Sequence, residues 1–174
     1  APYVETVEQA QALRGAVKLR PLKGARLAAA LQDRGTLEPE LQAYVDLRNR
    51  DSLFVINVES APALARLDEL LAVPDLDAVL IGPHDLSCSL GIPERYDDPR
   101  FEAAVITIIQ QARAAGVAAG IHWWGSRDRL GAWMDAGLNL IICSADITAM
   151  HLKLGEDIRA LREKAGDAPA VIGA

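Results

Sequence analysis

From residue 53 onward, short apolar runs alternate with longer segments whose apolar positions recur every three or four residues. Residues 53–58 form a run rich in β-branched side chains, and residues 78–81, 117–121 and 140–143 form three more runs of that kind. Between the first two, residues 62–71 carry helical spacing, with Leu64, Leu67, Leu70 and Leu71 on one face. Asp97-Asp98-Pro99 opens a helix predicted over 99–115 and closed by Gly116. A helix is predicted over 127–136, ending at Gly137, and a last amphipathic helix over 147–164. Strands alternating with helices predict parallel βα units. Their apolar character at successive positions fits strands covered on both faces. A doubly wound sheet and a (β/α)₈ barrel both satisfy this pattern, and in both the ligands gather at the carboxyl ends of the strands.

The first 50 residues read differently. Tyr3-Val4 looks like the tail of a strand, followed by a helix over 6–13. Residues 20–26 look like a loop, and residues 37–50 like a helix with Thr36 as its cap and Pro39 in its first turn. The total is four full strands and a stump, against eight for a closed barrel.

Composition narrows the class. The chain has 174 residues, of which 51% are hydrophobic, enough for one domain with its own core. A net charge of −6 gives no basic footprint for nucleic acid or an anionic membrane. No apolar run approaches the roughly 20 residues of a membrane span. The N-terminus lacks the basic-then-apolar form of a signal peptide and an initiator methionine, which fits a processed chain or a fragment. Cys88 and Cys143 form no CxxC pair and no zinc spacing, so free thiols in a reducing cytoplasm are expected.

Candidate chemistry sits at the ends of the first two full strands, at Glu59 and Asp85. Taken singly, Glu59 could cap the next helix or pair with a lysine, and Asp85 before Leu86-Ser87 could be a helix N-cap. Taken together, they lie one βα repeat apart. Two neighbouring carboxylates repel unless a cation or a proton intervenes. Hard oxygen ligands favour Mg²⁺, Mn²⁺ or a similar octahedral ion, with about four positions left for water and a 2-oxo acid. In Gly82-Pro83-His84-Asp85, the glycine permits close backbone approach or unusual dihedrals. The amides of His84 and Asp85 could meet an anion, or the tetrapeptide could be an ordinary strand-to-helix turn. His122, ahead of Trp123-Trp124, is expected at the cavity mouth, as a structural or a functional histidine. The two tryptophans could line a pocket or fill space under a loop. Arg26 could meet an anion from its loop. Neither cysteine has a base placed beside it by sequence, and Asp146 could cap the final helix.

Val58-Glu59 and Gly82-Pro83-His84-Asp85-Leu86-Ser87, with Gly120-Ile121-His122 and Ile142-Cys143-Ser144-Ala145-Asp146, resemble the HpcH/HpaI family of metal-dependent class II pyruvate aldolases. The resemblance runs from Pro2 to the last helix. It implies a (β/α)₈ barrel, present here as an incomplete one of about strands 4/5 to 8, with residues 1–174 as a single domain and strands 1–3 absent. It implies cleavage or formation of 4-hydroxy-2-oxo acids to give pyruvate and an aldehyde. By that resemblance Glu59 and Asp85 hold the metal, Mg²⁺ or Mn²⁺ with Co²⁺ as a further option. Gly82, Pro83, His84 and Asp85 hold the substrate carboxylate, and Asn57 lies near the metal's water shell. It also implies homo-oligomers, commonly hexamers, in which the last helix packs on a neighbouring subunit. The family's proton-transferring histidine and its oxyanion-binding arginine belong to strands upstream of Ala1, so no catalytic acid or base is recognised in this sequence. That departure keeps a second expectation alive, a half-barrel acting through assembly or ligand binding alone. Decarboxylation, or condensation with a CoA ester, ranks lower, because no adenine or phosphate signature is present.

Overall fold

The structure is a computed structural model and describes residues 1–167. It opens with α1 (Val7–Lys18), whose start is a reciprocal cap: Thr6 Oγ1 accepts from the Gln9 amide, and Gln9 Oε1 accepts from the Thr6 amide. Then come α2 (Gly24–Gln32), a 3₁₀ turn at Arg34–Thr36 and α3 (Pro39–Asn49). The repeating part is β1 (Val55–Val58), α4 (Ala61–Ala65), α5 (Leu67–Leu71), β2 (Ala78–Ile81), α6 (Pro83–Ser89), α7 (Pro99–Ala114), β3 (Ala118–Trp123), α8 (Arg127–Asp135) and β4 (Leu140–Cys143). α9 (Asp146–Ala165) follows.

The strands form one sheet in the order β1-β2-β3-β4. β1 and β2 are parallel with Val55 opposite Ala78, and β2 and β3 are parallel with Ala78 opposite Ala118. A doubly wound sheet reverses its strand order at a switch point; this order never reverses. Ile56, Val58, Val79, Ile81, Ala119 and Ile121 are buried in one core with Leu67 and Leu70 of α5 and Phe101, Ile108 and Ile109 of α7. Val55, Asn57 and Leu80 face the other way and are only half-buried. One helix-covered face and one inner face define a segment of barrel wall rather than a two-sided sheet. A smaller cluster of Leu19, Ala30, Leu37 and Val45 joins α1, α2 and α3.

Several local expectations change. Residues 24–26 are helical, not loop: α2 starts at Gly24 (φ +55) without any side-chain cap, and its alanine-rich body supplies the helix propensity that the missing cap signal concealed. Glu38, not Thr36, is the N-cap of α3; Thr36 ends the 3₁₀ turn, where its hydroxyl donates to the Asp33 carbonyl. The helix expected over 62–71 is two short helices broken at Arg66 (φ −113, ψ 19), which brings Ala63 as well as Leu67, Leu70 and Leu71 into the core.

Asp98 caps α7 as expected, accepting from the Arg100 amide at 3.0 Å. Its carboxylate also takes the Arg100 guanidinium at 3.0 and 2.9 Å, with Arg95 at 3.3 Å. The hydrogen bonds from the Arg100 side chain and amide hold its pKa down at about 2. A depressed carboxylate stabilises the fold fully above its ordinary value of 3.8 and ceases to do so as pH falls through about 2. Melting of Asp98→Asn against the parent should therefore show a constant gap above about pH 5 that closes as the pH falls towards about 2. A gap independent of pH would contradict this assignment.

The chain divides into two compact units, Ala1–Ile142 and Cys143–Ala174. The first carries both cores. In the second, α9 ends at Gly166 in a left-handed cap (φ +75) and none of its residues is buried. Ile147, Met150, Leu154, Ile158 and Leu161 recur at helical spacing as one exposed apolar stripe. Among the described residues, no helix is long and apolar enough to cross a membrane.

Candidate metal and substrate site

Val58 lies opposite Ile81, and Ile81 opposite Ile121. One residue further, the same register places Glu59, Gly82 and His122 in a single row on the inner face, at the carboxyl ends of β1, β2 and β3. The row beneath it holds Asn57, Leu80 and Gly120. Gly82 makes the upper row feasible. A Cβ built there would overlap Glu59 Oε2 and stand 3.0 Å from Glu59 Cβ. Gly82 has φ −91, a conformation open to any residue, so this glycine serves close approach and not an unusual dihedral.

Glu59 is 3% exposed. Its Oε1 accepts from the Tyr3 amide at 2.7 Å, and its Oε2 accepts from Asn57 Nδ2 at 3.1 Å. It caps nothing: Ser60 caps α4 through the Ala63 amide. Asp85 is no cap either. It stands in the first turn of α6, whose N-cap position is Gly82, and its Oδ1 accepts from the Tyr3 hydroxyl at 3.3 Å. One residue thus contacts both acids. Tyr3 reaches them because the N-terminal tail lies along β1: the Ala1 nitrogen donates to the Val55 carbonyl at 3.0 Å, and the Asn57 amide donates to the Ala1 carbonyl at 2.8 Å. The negative charge of Asp85 beside it raises the Tyr3 phenol pKa, with burial, the hydrogen bond and Glu59 adding to the effect. Tyr3-Val4, expected as the tail of a strand, belongs to no strand of the sheet; it lies in the tail ahead of α1, and no sequence signal marked Tyr3 as a site residue.

The donor set suits a hard divalent ion in one respect and limits it in another. Two carboxylates meet around Tyr3, and among the described residues neither forms an ion pair with Lys, Arg or His. Mg²⁺ is commonly bound by one or two carboxylates, with water and substrate completing its shell. Among the described residues no group of three or more His, Cys, Asp or Glu side chains could hold a metal, so an ion here would meet two carboxylates and not a closed cage.

The remaining candidates divide. The His84 side chain does not join the acid pair: its Nδ1 is 3.5 Å from Glu94 Oε1 and its Nε2 3.8 Å from Cys88 Sγ. Pro83 is the first residue of α6, and the helix's own ladder begins with the Leu86 amide donating to the Gly82 carbonyl. The amides of His84 and Asp85 therefore lie outside that ladder. The His122 ring meets Trp124 edge-on at 5.2 Å, and Trp124 is 52% exposed. Trp123 does not line a pocket with them. It faces the core, against Trp133 (4.8 Å) and Tyr96 (5.4 Å), and its Nε1 donates to the Ser126 carbonyl. Arg26 does not serve the site either: on α2 it makes a two-pronged exposed pair with Glu38. Cys88 and Cys143 are free and exposed. Asp146 is the first residue of α9, not its cap, and accepts from the Ile147 amide.

The model of the HpcH/HpaI aldolase/citrate lyase family matches residues 1–148. The chain belongs to this family. It is 39% identical over 119 residues to the 2-keto-3-deoxy-L-rhamnonate aldolase of Escherichia coli K12, an overlap of 68% of this chain and 44% of that protein. It is 32% identical over 161 residues to the 2-dehydro-3,6-dideoxy-6-sulfogluconate aldolase of Pseudomonas putida, covering 92% of this chain and 62% of that one. The chain thus spans between about two fifths and two thirds of the length of these relatives. Among solved structures, an HpcH/HpaI aldolase/citrate lyase family protein from Burkholderia cenocepacia J2315 superposes with a TM-score of 0.73 at 27% identity, over 92% of this chain and 63% of that one.

Proposed function

We propose that this chain carries the metal and 2-oxo-acid site of a class II aldolase, an enzyme that cleaves or forms 4-hydroxy-2-oxo acids to give pyruvate and an aldehyde. The observation that carries this reading is the pair of carboxylates beyond the carboxyl ends of β1 and β2, one of them buried, with no cationic side chain among the described residues paired to either. Such a pair attracts a cation. The aldolase names of the two relatives agree with it.

Glu59 and Asp85 would hold Mg²⁺ or Mn²⁺, with Co²⁺ also compatible with oxygen donors. When bound, the ion supplies Lewis-acid polarisation of the substrate's carbonyl. Asn57 fixes the orientation of Glu59 through its amide. The amides of His84 and Asp85 would receive the substrate carboxylate, with Gly82 and Pro83 shaping that turn. His122 and Trp124, at the mouth, would border the aldehyde. The exposed stripe of α9 is the surface we assign to a second copy of the chain in a homo-oligomer, because an apolar row of that length in water favours burial. The free cysteines agree with a cytoplasmic setting.

A titration with Mn²⁺ tests the site. Glu59→Ala and Asp85→Ala should each weaken binding at least about tenfold, the loss of a charged ligand being worth more than one ordinary hydrogen bond. Binding equal to the parent in both variants would remove the metal reading. The second reading, assembly or ligand binding without turnover, rests on the absence of an assigned proton-transfer group among the described residues. Pyruvate release from a 4-hydroxy-2-oxo acid by this chain would dismiss it.

A further inference from the structure

Tyr3 combines three observations that the proposed site does not by itself require. Its φ is +52, a left-handed conformation that side-chain-bearing residues rarely adopt. In that conformation its amide donates to Glu59 Oε1 at 2.7 Å and its hydroxyl donates to Asp85 Oδ1 at 3.3 Å. The tail carrying it is pinned on both sides. Ala1 is hydrogen-bonded to Val55 and Asn57 on β1, and the Ser60 hydroxyl donates to Glu5 Oε1 at 2.6 Å just beyond β1. Backbone held in a sparsely populated region by such over-determination is characteristic of residues that position others.

We propose that Tyr3 is the positioning residue of the acid pair, holding Glu59 through its backbone and Asp85 through its hydroxyl in one fixed geometry before a cation arrives. Two like charges drawn together without a cation would otherwise swing apart. A single residue that donates to one oxygen of each opposes that separation. Each carboxylate oxygen accepts more than one hydrogen bond, so the donors from Tyr3 and Asn57 leave lone pairs for an ion. The strained conformation is what lets two donors of one residue reach both acids: the amide faces β1 while the ring crosses to α6. This inference rests on the metal reading above and deepens it.

The discriminating variant is Tyr3→Phe in the full chain, which removes the hydroxyl and retains both the ring and the hydrogen bond that the backbone amide donates to Glu59. Mn²⁺ affinity is measured by calorimetry and by the magnetic resonance signal of free Mn²⁺, beside the melting temperature of the metal-free protein. The expected result is about a five- to tenfold weaker affinity, the size of one ordinary hydrogen bond acting at a preorganised ligand. The metal-free melting temperature should be unchanged, because the ring is exposed and buries little. A purely structural tyrosine would move the melting temperature and not the affinity, and that outcome overturns the proposal. Equal or tighter Mn²⁺ binding in Tyr3→Phe, while Glu59→Ala and Asp85→Ala lose it, also overturns the role of Tyr3 and leaves the metal site standing. Loss of nothing in all three variants overturns the site itself, and the inference with it.

Discussion

Gly82→Ala is expected to lower Mn²⁺ affinity about a hundredfold, the penalty typical of a reacting or binding group displaced by about 1 Å. The added methyl would overlap Glu59 Oε2 and stand 3.0 Å from Glu59 Cβ and 3.3 Å from its Cδ. A clash with the carboxylate alone could be relieved by rotation of the side chain. A clash with Cβ cannot, because that atom is set by the backbone of the residue after β1. Glu59 is also almost fully enclosed. Any rotation forfeits its bonds from Tyr3 and Asn57 and moves the oxygens that would face the ion. Gly116→Ala is the matched control. It has φ +77 with no atom within 4 Å of a new Cβ, so it should destabilise the fold by about 1 kcal/mol through backbone strain and leave Mn²⁺ binding alone. Gly82→Ala binding Mn²⁺ like the parent would show that Glu59 is not a ligand in this geometry.

The contrast between those two glycines marks what could be read from the chain. Gly-Pro-His-Asp after an apolar run located a strand-to-helix turn and an acid beside it. Whether its glycine served dihedral freedom or close approach depended on a residue 23 positions earlier, Glu59, and so on the register of β1 against β2. The βα alternation was legible because each strand and each long helix carries its own apolar signature. Face assignment was not. In strands with apolar residues on both sides, hydrophobicity does not mark parity. In His122-Trp123-Trp124, only the packing of Ala119 and Ile121 into the core decides that Trp123 joins them and that His122 joins Glu59 and Gly82. The short helices were hidden for another reason. α2 has no side-chain cap and α6 has only seven residues, too few to show a period. Tyr3 was hidden most deeply, since its importance comes from contacts 56 and 82 residues away in sequence.

Trp133→Ala should be the most destabilising single substitution argued from this structure, by about 4 kcal/mol, the usual range for emptying a large aromatic site in a core. For a chain of this size that corresponds to a fall of roughly 10 °C in melting temperature. Trp133 is 0% exposed. It packs edge-on against Trp123 at 4.8 Å and tilted against Phe101 at 6.4 Å, and its indole N–H donates to Glu102 Oε1 at 2.9 Å. The cavity would open between α7, α8 and the end of β3. Close-packed surroundings collapse only partly into such a void, so the loss includes the cavity as well as the transfer of the ring. Glu102 is partly exposed and can hydrate once its partner is gone, so the hydrogen bond adds little to the total. Trp133→Phe keeps most of the ring and should cost less than half as much. The consequence for function follows from strand parity. Trp123 is held by this cluster on one face of β3 while His122 projects from the other, so loosening the cluster frees the strand end that forms one side of the site. Trp133→Ala should therefore melt early in denaturant and, below its melting temperature, show faster amide exchange at residues 121–124 than elsewhere in the sheet. A melting temperature within 2–3 °C of the parent would mean that the aromatic cluster does not hold β3.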